Sequence, residues 1–328
     1  MSFHEVIPAL EVEVVMVFED KIVKNSFREG KFFSMLIADI LGQFNLKVQS
    51  TMPVADSFSS EVYRVLLDDG QTVYCKLPFT KEKWYREFKC LNYLLDSVNV
   101  PKVINLIEPS ETFNGAFLLT ALEGNSITTL TPKLAKEVGE LHAKLHEITY
   151  EFYGSFTNEG FEVLPKNDWR LFILSTLERF VPFVRQTLPE ELYKSSYYRI
   201  QELFKCLPAP EPPSFVHMDF RLANLIAQGD TLTGVIDFES SRFGSPEIDF
   251  IKLYREVLSK NPTIFDAYKI GYGSVRPLLP MEQYVEFYSL YDAFNSIGWS
   301  TQRGLEKNRA FYEESLEILK THLELSAT

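Results

Sequence analysis

No apolar run in this 328-residue chain approaches the roughly 20 residues that a membrane-spanning helix requires. Met1–Leu10 lacks the basic start and apolar stretch of a secretory leader, so the expected location is cytoplasmic. Cysteine is scarce: Cys75, Cys90 and Cys206 are odd in number and far apart. That excludes a disulfide framework and a cysteine-based metal site, and it fits small core residues in a reducing compartment. No G-x-S-x-G occurs, which argues against a serine hydrolase built on a nucleophile elbow. No G-x-x-x-x-G-K-[ST] occurs, which argues against a P-loop nucleotide site. Basic residues are outnumbered, 33 Lys and Arg against 45 Asp and Glu, for a net charge of −12. Such a surface disfavours nucleic acid and anionic membranes as partners. It suits a cationic ligand, or serves solubility alone. No internal repeat or low-complexity tract is present.

What is there is a chain long enough for two lobes, 45% hydrophobic and 14% aromatic. Leu10–Phe18 alternates with period two and reads as a strand. Phe32, Leu36, Ile37, Ile40 and Leu41 follow a helical spacing over Lys31–Phe44, with Gly42 as a stop. Strands are expected over Leu46–Val54, Glu61–Leu67 and Gln71–Leu77, the last two joined by the turn Asp68-Asp69-Gly70. A helix over Lys81–Leu95 and strands over Val103–Ile107 and Ala116–Leu122 follow. Beyond them the pattern is mainly helical: Lys133–Ile148, Trp169–Leu188, Glu190–Leu207, and most of the chain after Asp249. Pro208, Pro210, Pro212 and Pro213 interrupt it and read as an ordered connection. A hairpin over Asn224–Ala227 and Gly234–Phe238 is expected around Gln228-Gly229-Asp230.

The chemistry is concentrated in His217-Met218-Asp219-Phe220-Arg221-Leu222-Ala223-Asn224 and in Val235-Ile236-Asp237-Phe238-Glu239. H-x-D-x-x-x-x-N followed by an aspartate after a short apolar strand is the arrangement of a kinase-like phosphotransferase. Asp219 is the candidate catalytic carboxylate, orienting and deprotonating an attacking hydroxyl. Asn224 and Asp237 are the candidate Mg²⁺ ligands against the nucleotide phosphates. Asp and Asn also form turns, so the first motif alone would read equally as a plain loop. The ordered second aspartate and the later Gly244-Ser245-Pro246-Glu247-Ile248-Asp249 separate the two readings.

The segment Phe215–Leu253 resembles the aminoglycoside phosphotransferase family, also called the choline-kinase-like or phosphotransferase enzyme family. That family shows H-G-D-x-x-x-x-N, I-D-[FW]-[ED] and G-[DS]-P-x-x-D; this chain reads H-M-D-F-R-L-A-N, I-D-F-E and G-S-P-E-I-D. Met218 stands where the family usually has glycine, a departure that removes no ligand. The resemblance implies an α+β, two-lobed protein kinase-like fold with a β-rich N-lobe and a mainly helical C-lobe. Its expected divisions are an extension over 1–45, a nucleotide-binding lobe over 46–122 and a catalytic and substrate-binding lobe over 123–328.

On the nucleotide side the same resemblance gives roles to further residues. Lys76, on the strand Val73-Tyr74-Cys75-Lys76-Leu77, would hold the α and β phosphates, with Glu87 on the next helix as its partner and Glu82 as the competing choice. Ser59 and Ser60, in the glycine-free loop Ala55–Glu61, would cover the phosphates. Backbone groups at Thr120, Ala121 and Leu122 would bind the purine, leaving ATP or GTP open. His217 and Asp249 are expected to brace the catalytic loop. His142 and His146, four apart on a helix, have metal spacing but show no third ligand, and read as packed histidines. The implied reaction moves a γ-phosphoryl group from ATP or GTP, with Mg²⁺, to the hydroxyl of a small molecule, foremost an aminoglycoside-like antibiotic as in antibiotic resistance. The competing readings are a choline, homoserine, methylthioribose or fructosamine kinase, or a non-catalytic nucleotide-binding protein.

Overall fold

The computed structural model describes residues 30–54 and 60–326, so the strand expected over Leu10–Phe18 lies outside the described residues. The N-terminal half of the architecture is one antiparallel sheet of five strands: β1 (Val48–Pro53), β2 (Ser60–Leu67), β3 (Thr72–Pro78), β4 (Val103–Ile107) and β5 (Ala116–Thr120). Their order is β1-β2-β3-β5-β4. At the β2–β3 turn Gly70 takes φ +83°, and the Asp69 carboxylate accepts a hydrogen bond from the Gln71 N–H at 2.9 Å. That chemistry sets the register, in which Val62 lies opposite Lys76 and Arg64 opposite Tyr74.

Alternation along β3 then divides the sheet into two faces. Val73, Cys75 and Leu77 join Val65, Ala116 and Leu118 in a core completed by Ile37, Ile40 and Leu41 of α1 (Gly30–Gln43) and by Phe44. The helix before the first strand therefore covers one face of the sheet. Tyr74 and Lys76 point to the other face, where α2 (Lys81–Leu94) packs. Thr80 caps α2 by accepting a hydrogen bond from the Lys83 N–H, and Trp84 stacks on Phe117 with ring centroids 4.9 Å apart.

The remainder is built on α3 (Pro132–Glu147), α4 (Trp169–Thr187), α5 (Glu190–Cys206), α6 (Ile251–Glu256), α7 (Pro262–Gly273), α8 (Val285–Arg303) and α9 (Arg309–Ser326). Thr131 caps α3 ahead of Pro132, and Asn261 caps α7 ahead of Pro262. The two helices touch backbone to backbone. A Cβ on Gly139 would lie 2.2 Å from the Tyr268 carbonyl oxygen, and one on Gly271 would lie 1.9 Å from that of Lys136. Only this close approach lets Tyr268 and Tyr272 of α7 reach the histidines of α3. A second core fills the space between α4, α5, α8 and α9, around Trp169, Phe180, Phe287, Tyr288 and Phe294. Among the described residues no helix is long and apolar enough to cross a membrane.

Two small sheets carry the motif. One joins β6 (Asn125–Ser126), β10 (Leu225–Gln228) and β11 (Thr231–Val235). The other orders β8 (Gly160–Val163), β7 (Gly154–Thr157), β12 (Arg242–Gly244) and β9 (Ser214–Val216). The β7–β8 hairpin was not anticipated, and it packs beside α2, where Lys89 reaches the Thr157 carbonyl. The strand expected over Gly234–Phe238 lies earlier, at β11. Asp237 takes φ +73°, a left-handed conformation that no strand residue adopts, so pairing ends before it. The proline-rich connection is ordered: the Glu211 N–H donates to Ser245 Oγ at 2.8 Å.

Candidate active site

β9 delivers the chain to His217, and the loop that follows is held by its own backbone. Asp249 accepts the N–H groups of His217 and Met218, each at 2.6 Å. His217 Nε2 lies 2.9 Å from the Ile236 carbonyl, and its Nδ1 accepts the Asp219 N–H at 3.3 Å. One imidazole thus ties this loop to the segment before Asp237. Met218 takes φ +68°. The glycine-like backbone is kept although the residue is methionine, at a strain of roughly 1–2 kcal/mol, and the N–H bonds of His217 and Met218 to Asp249, with that of Asp219 to His217, hold it there.

Asp219 faces three donors. Lys252 Nζ is 2.6 Å from Oδ1, Arg221 Nε is 3.2 Å from Oδ2, and the Asn224 amide nitrogen is 2.9 Å from Oδ2. Because Asn224 turns its nitrogen to Asp219, its amide oxygen is the atom left to face a cation. The Asn224 carbonyl also accepts the Ile236 N–H at 2.9 Å, which sets Asn224 and Asp237 side by side. Lys252 is a site residue that the sequence reading missed. It lies three residues beyond Asp249, the expected brace, but its partner Asp219 is 33 positions away, and only the packing brings the two together.

Across the cleft Lys76 is buried and paired three ways. Its Nζ lies 2.7 Å from Glu87, 2.6 Å from Asp237 and 3.6 Å from Glu239. Glu87, and not Glu82, is the partner on α2. Burial works against the Lys76 charge, but the three carboxylates more than offset it and raise its pKa. Burial, with Asp237 and Glu239 competing for the same lysine, pushes Glu87 up to about 7. Burial also acts to raise Asp237, yet the Lys76 contact wins and lowers it. Lys83, a second residue not foreseen, holds Glu239 at 2.6 Å.

Oxygens of Glu87, Asp237 and Glu239 lie within 4.8 Å of one another. With all three ionised, the carboxylates exceed Lys76 and Lys83 by one negative charge. Glu239 Oε2 is buried and accepts no hydrogen bond. Hard oxygen donors with residual negative charge fit a cation such as Mg²⁺.

The fold also supplies the acid that the sequence did not show beside the histidine pair. Asp249 Oδ2 lies 3.5 Å from Nε2 of both His142 and His146. Their Nδ1 atoms are 2.7 Å from the Tyr268 hydroxyl and 2.8 Å from that of Tyr272. Asp249 already accepts two backbone N–H groups, so the cluster is a buried brace. Burial, reinforced by His146, holds His142 down at about 3; burial likewise lowers His146. Burial alone would raise Asp249, but the ring hydrogen bonds keep it well below the usual carboxylate range. The unfolded rings take up protons below about 6.5, whereas the folded ones do not. The brace therefore contributes stability fully above pH 6.5 and loses it as pH falls toward 3. We expect thermal midpoints to drop steeply across that window, and His142→Gln to flatten the slope. Parallel slopes in wild type and variant would show that the brace does not titrate.

The expected purine edge is only partly available. The Thr120 N–H is spent on the Lys102 carbonyl at 2.9 Å, and Thr120 Oγ1 accepts the Lys102 N–H. That removes one expected group and leaves the Thr120 carbonyl with Ala121 and Leu122. Ser60 is buried opposite Pro78, on the face of Lys76 and two residue pairs further along. Ser59 lies outside the described residues.

A cavity of about 880 Å³ opens from this centre toward α4, α8 and α9, and both Asp219 and Asp237 line it. Its lining carries six Lys or Arg side chains against seven Asp or Glu. The acidic excess of the whole chain is therefore not carried into this lining. Glu247 is buried and bonded to Ser245 and Tyr288, Asp249 is consumed by the brace, and Glu239 is held by lysines.

A family model described as the phosphotransferase enzyme family matches residues 50–284. The N-acetylmuramate/N-acetylglucosamine kinase of Neisseria meningitidis serogroup B is 26% identical over 216 residues, 63% of this chain and 61% of the relative. The homoserine kinase of Beijerinckia indica subsp. indica is 28% identical over 127 residues, 38% of this chain and 36% of the relative. The chain thus spans about three-fifths and one-third of the lengths of these curated relatives. Among solved structures, a thermostable mutant of the aminoglycoside phosphotransferase APH(4)-Ia, in complex with AMP-PNP and hygromycin B, aligns with TM-score 0.67 at 16% identity. The alignment covers 88% of this chain and 98% of that one. It shows the protein kinase-like fold, with its β-rich N-lobe and helical C-lobe.

Proposed function

The chain belongs to the phosphotransferase enzyme family, and from that premise we propose that it transfers the γ-phosphoryl group of ATP or GTP to a hydroxyl of a small polyhydroxyl molecule. One observation carries this reading: a single cavity is lined both by Asp219, on the acceptor side, and by Asp237, on the nucleotide side. In this reading Lys76, fixed by Glu87, neutralises the nucleotide phosphates. Asp237 and the Asn224 amide oxygen would hold Mg²⁺, which when bound neutralises phosphate charge. Asp219 orients the acceptor hydroxyl and accepts its proton. Little covalent chemistry is asked of the protein, so positioning and charge placement supply the rate.

Lys252 acts on this step through Asp219. It pins the carboxylate at one oxygen, leaving the other to share Asn224 with the metal side. We expect Lys252→Met to lower kcat by about 10- to 100-fold, the scale of a misplaced catalytic group, with nucleotide affinity nearly unchanged. Steady-state kinetics with both substrates checks this. An unaltered kcat would make the pair merely structural.

Two acceptor classes meet these requirements: an aminoglycoside-like antibiotic, and a metabolite sugar or alcohol. The near-balanced lining of the cavity favours the second, because a polycation needs an excess of carboxylates that are free to face it. The test is a phosphorylation screen with ATP and with GTP. Kanamycin, hygromycin B, N-acetylmuramate, N-acetylglucosamine and homoserine serve as acceptors, and product mass is the readout. A metabolite product supports the reading; phosphorylation confined to aminoglycosides reverses the choice of class. Nucleotide binding without any product would favour a non-catalytic protein.

A further inference from the structure

Three arginines gather beside the acceptor cavity without a carboxylate among them. Arg242, the first residue of β12, lays its guanidinium over the Phe172 ring at 4.4 Å. Arg179 lies seven residues, two helical turns, beyond Phe172 on α4, so it projects from the same stripe. Arg86 of α2 donates from Nη1 to the Glu239 carbonyl at 3.2 Å, three residues before Arg242. The Nε groups of Arg86 and Arg242 are buried and have no acceptor. Among the described residues no carboxylate forms an ion pair with any of the three. Glu239, three residues before Arg242, is turned to Lys83 and Lys76; Glu87, next to Arg86, is turned to Lys76, and Glu178, next to Arg179, accepts the Tyr197 hydroxyl. Glu82 and Glu162 act on Arg86 only from a distance.

This is costly in a chain with 12 more acidic than basic residues, where a carboxylate partner is easily supplied. The Phe172 face attracts the Arg242 charge but accepts none of its five N–H donors in the plane of the fork. Burial, then the charges of Arg86 and Arg179, push Arg242 down to about 9. The other groups facing it are Tyr291, which burial keeps neutral, and Cys90. Arg179 and Ser240 line the cavity, so the cluster adjoins it directly.

We propose that Arg242, Arg179 and Arg86 form an oxyanion subsite at the edge of the cavity, taking a carboxylate or phosphate group. A planar guanidinium fork matches such a group with two parallel hydrogen bonds, and the charge of the group would offset that of the clustered arginines. The group is supplied either on the acceptor, as in a sugar acid, or as a free inorganic anion. The first alternative rests on the phosphotransferase reading; binding at the arginines does not.

The experiment titrates inorganic phosphate into the full chain by calorimetry, with the nucleotide side saturated by Mg²⁺–AMP-PNP. We expect saturable binding, weakened about ten- to hundredfold in Arg242→Gln and in Arg179→Gln, the scale of a charge-assisted hydrogen-bond pair. Arg179 is exposed and its replacement leaves the core intact, so the test survives if Arg242→Gln misfolds. Glucuronate and glucose are compared in the same format. Glucuronate that displaces phosphate, where glucose does not, places the anion on the acceptor. Phosphate binding that glucuronate leaves untouched identifies a free-anion site. No phosphate binding, or equal binding in wild type and both variants, overturns the subsite. Arginine-dependent binding in a chain that phosphorylates nothing would retain the subsite and reject the phosphotransferase reading.

Discussion

Asp219→Asn is expected to abolish phosphoryl transfer while nucleotide affinity stays close to that of the wild type. The carboxylate sits at the head of the braced loop and lines the cavity, with Lys252 at 2.6 Å and Asn224 at 2.9 Å. Asparagine keeps the size and one acceptor oxygen but accepts no proton. A positioned general base contributes roughly 10²–10⁴-fold, and turnover should fall by that factor. The Lys76 centre, on the other side of the cleft, is untouched. The measurement is single-turnover transfer with an acceptor found by the screen, beside a nucleotide titration. Turnover within a fewfold of wild type would remove Asp219 from the chemistry. A parallel loss of nucleotide binding would mean that the substitution disturbs the loop.

Asp237→Ala should be comparably severe, and on the opposite substrate. Its carboxylate lies 2.6 Å from Lys76, and it projects from a backbone held at φ +73°. Alanine would remove the proposed metal ligand and leave Lys76 to Glu87 and Glu239. A metal's share of charge stabilisation is several kcal/mol, so activity should drop by about 10³-fold. Half-saturation for Mg²⁺ at fixed nucleotide should rise, with acceptor binding little changed. Unchanged Mg²⁺ dependence would transfer the ligand role to Glu239, whose Oε2 is buried beside the same lysine. Alanine should also tolerate the left-handed backbone poorly. Asp237→Asn, which keeps that tolerance, separates lost ligation from strain.

The relation between Lys76 and Glu87 shows why parts of the site were readable in advance. A lysine inside an apolar strand contradicts the burial pattern around it, and a helix with its own cap must follow within a few residues. Their roles, however, came from the resemblance that the distant motif at His217–Glu239 carries. The pairing with Glu87 rather than Glu82 follows locally, because Glu87 shares the buried face of α2 with Trp84, Cys90, Leu91 and Leu94. Lys252, Lys83 and the arginine cluster were opaque for the opposite reason. Each gains its meaning from a partner far away in sequence: Asp219 for Lys252, Glu239 for Lys83, Arg242 for Arg86.

By itself the sequence determined the order of the larger strands and helices and the motif carrying Asp219, Asn224 and Asp237, and through the resemblance of that motif the α+β two-lobed class. The elements and the motif are set by periods of 2 and 3.6, by turn chemistry and by residues close along one loop, all of which act over a few neighbours. Tertiary structure decided what faces what. It gave Asp249, already expected to brace the loop, two histidines as further partners, and it left the cavity lining nearly balanced where composition suggested an acidic surface. It set Asp237 just past the end of β11 and spent the Thr120 N–H on Lys102. Net charge sums over a whole surface, whereas the field in a cavity depends on which few side chains turn inward, and only the packing of distant elements selects them.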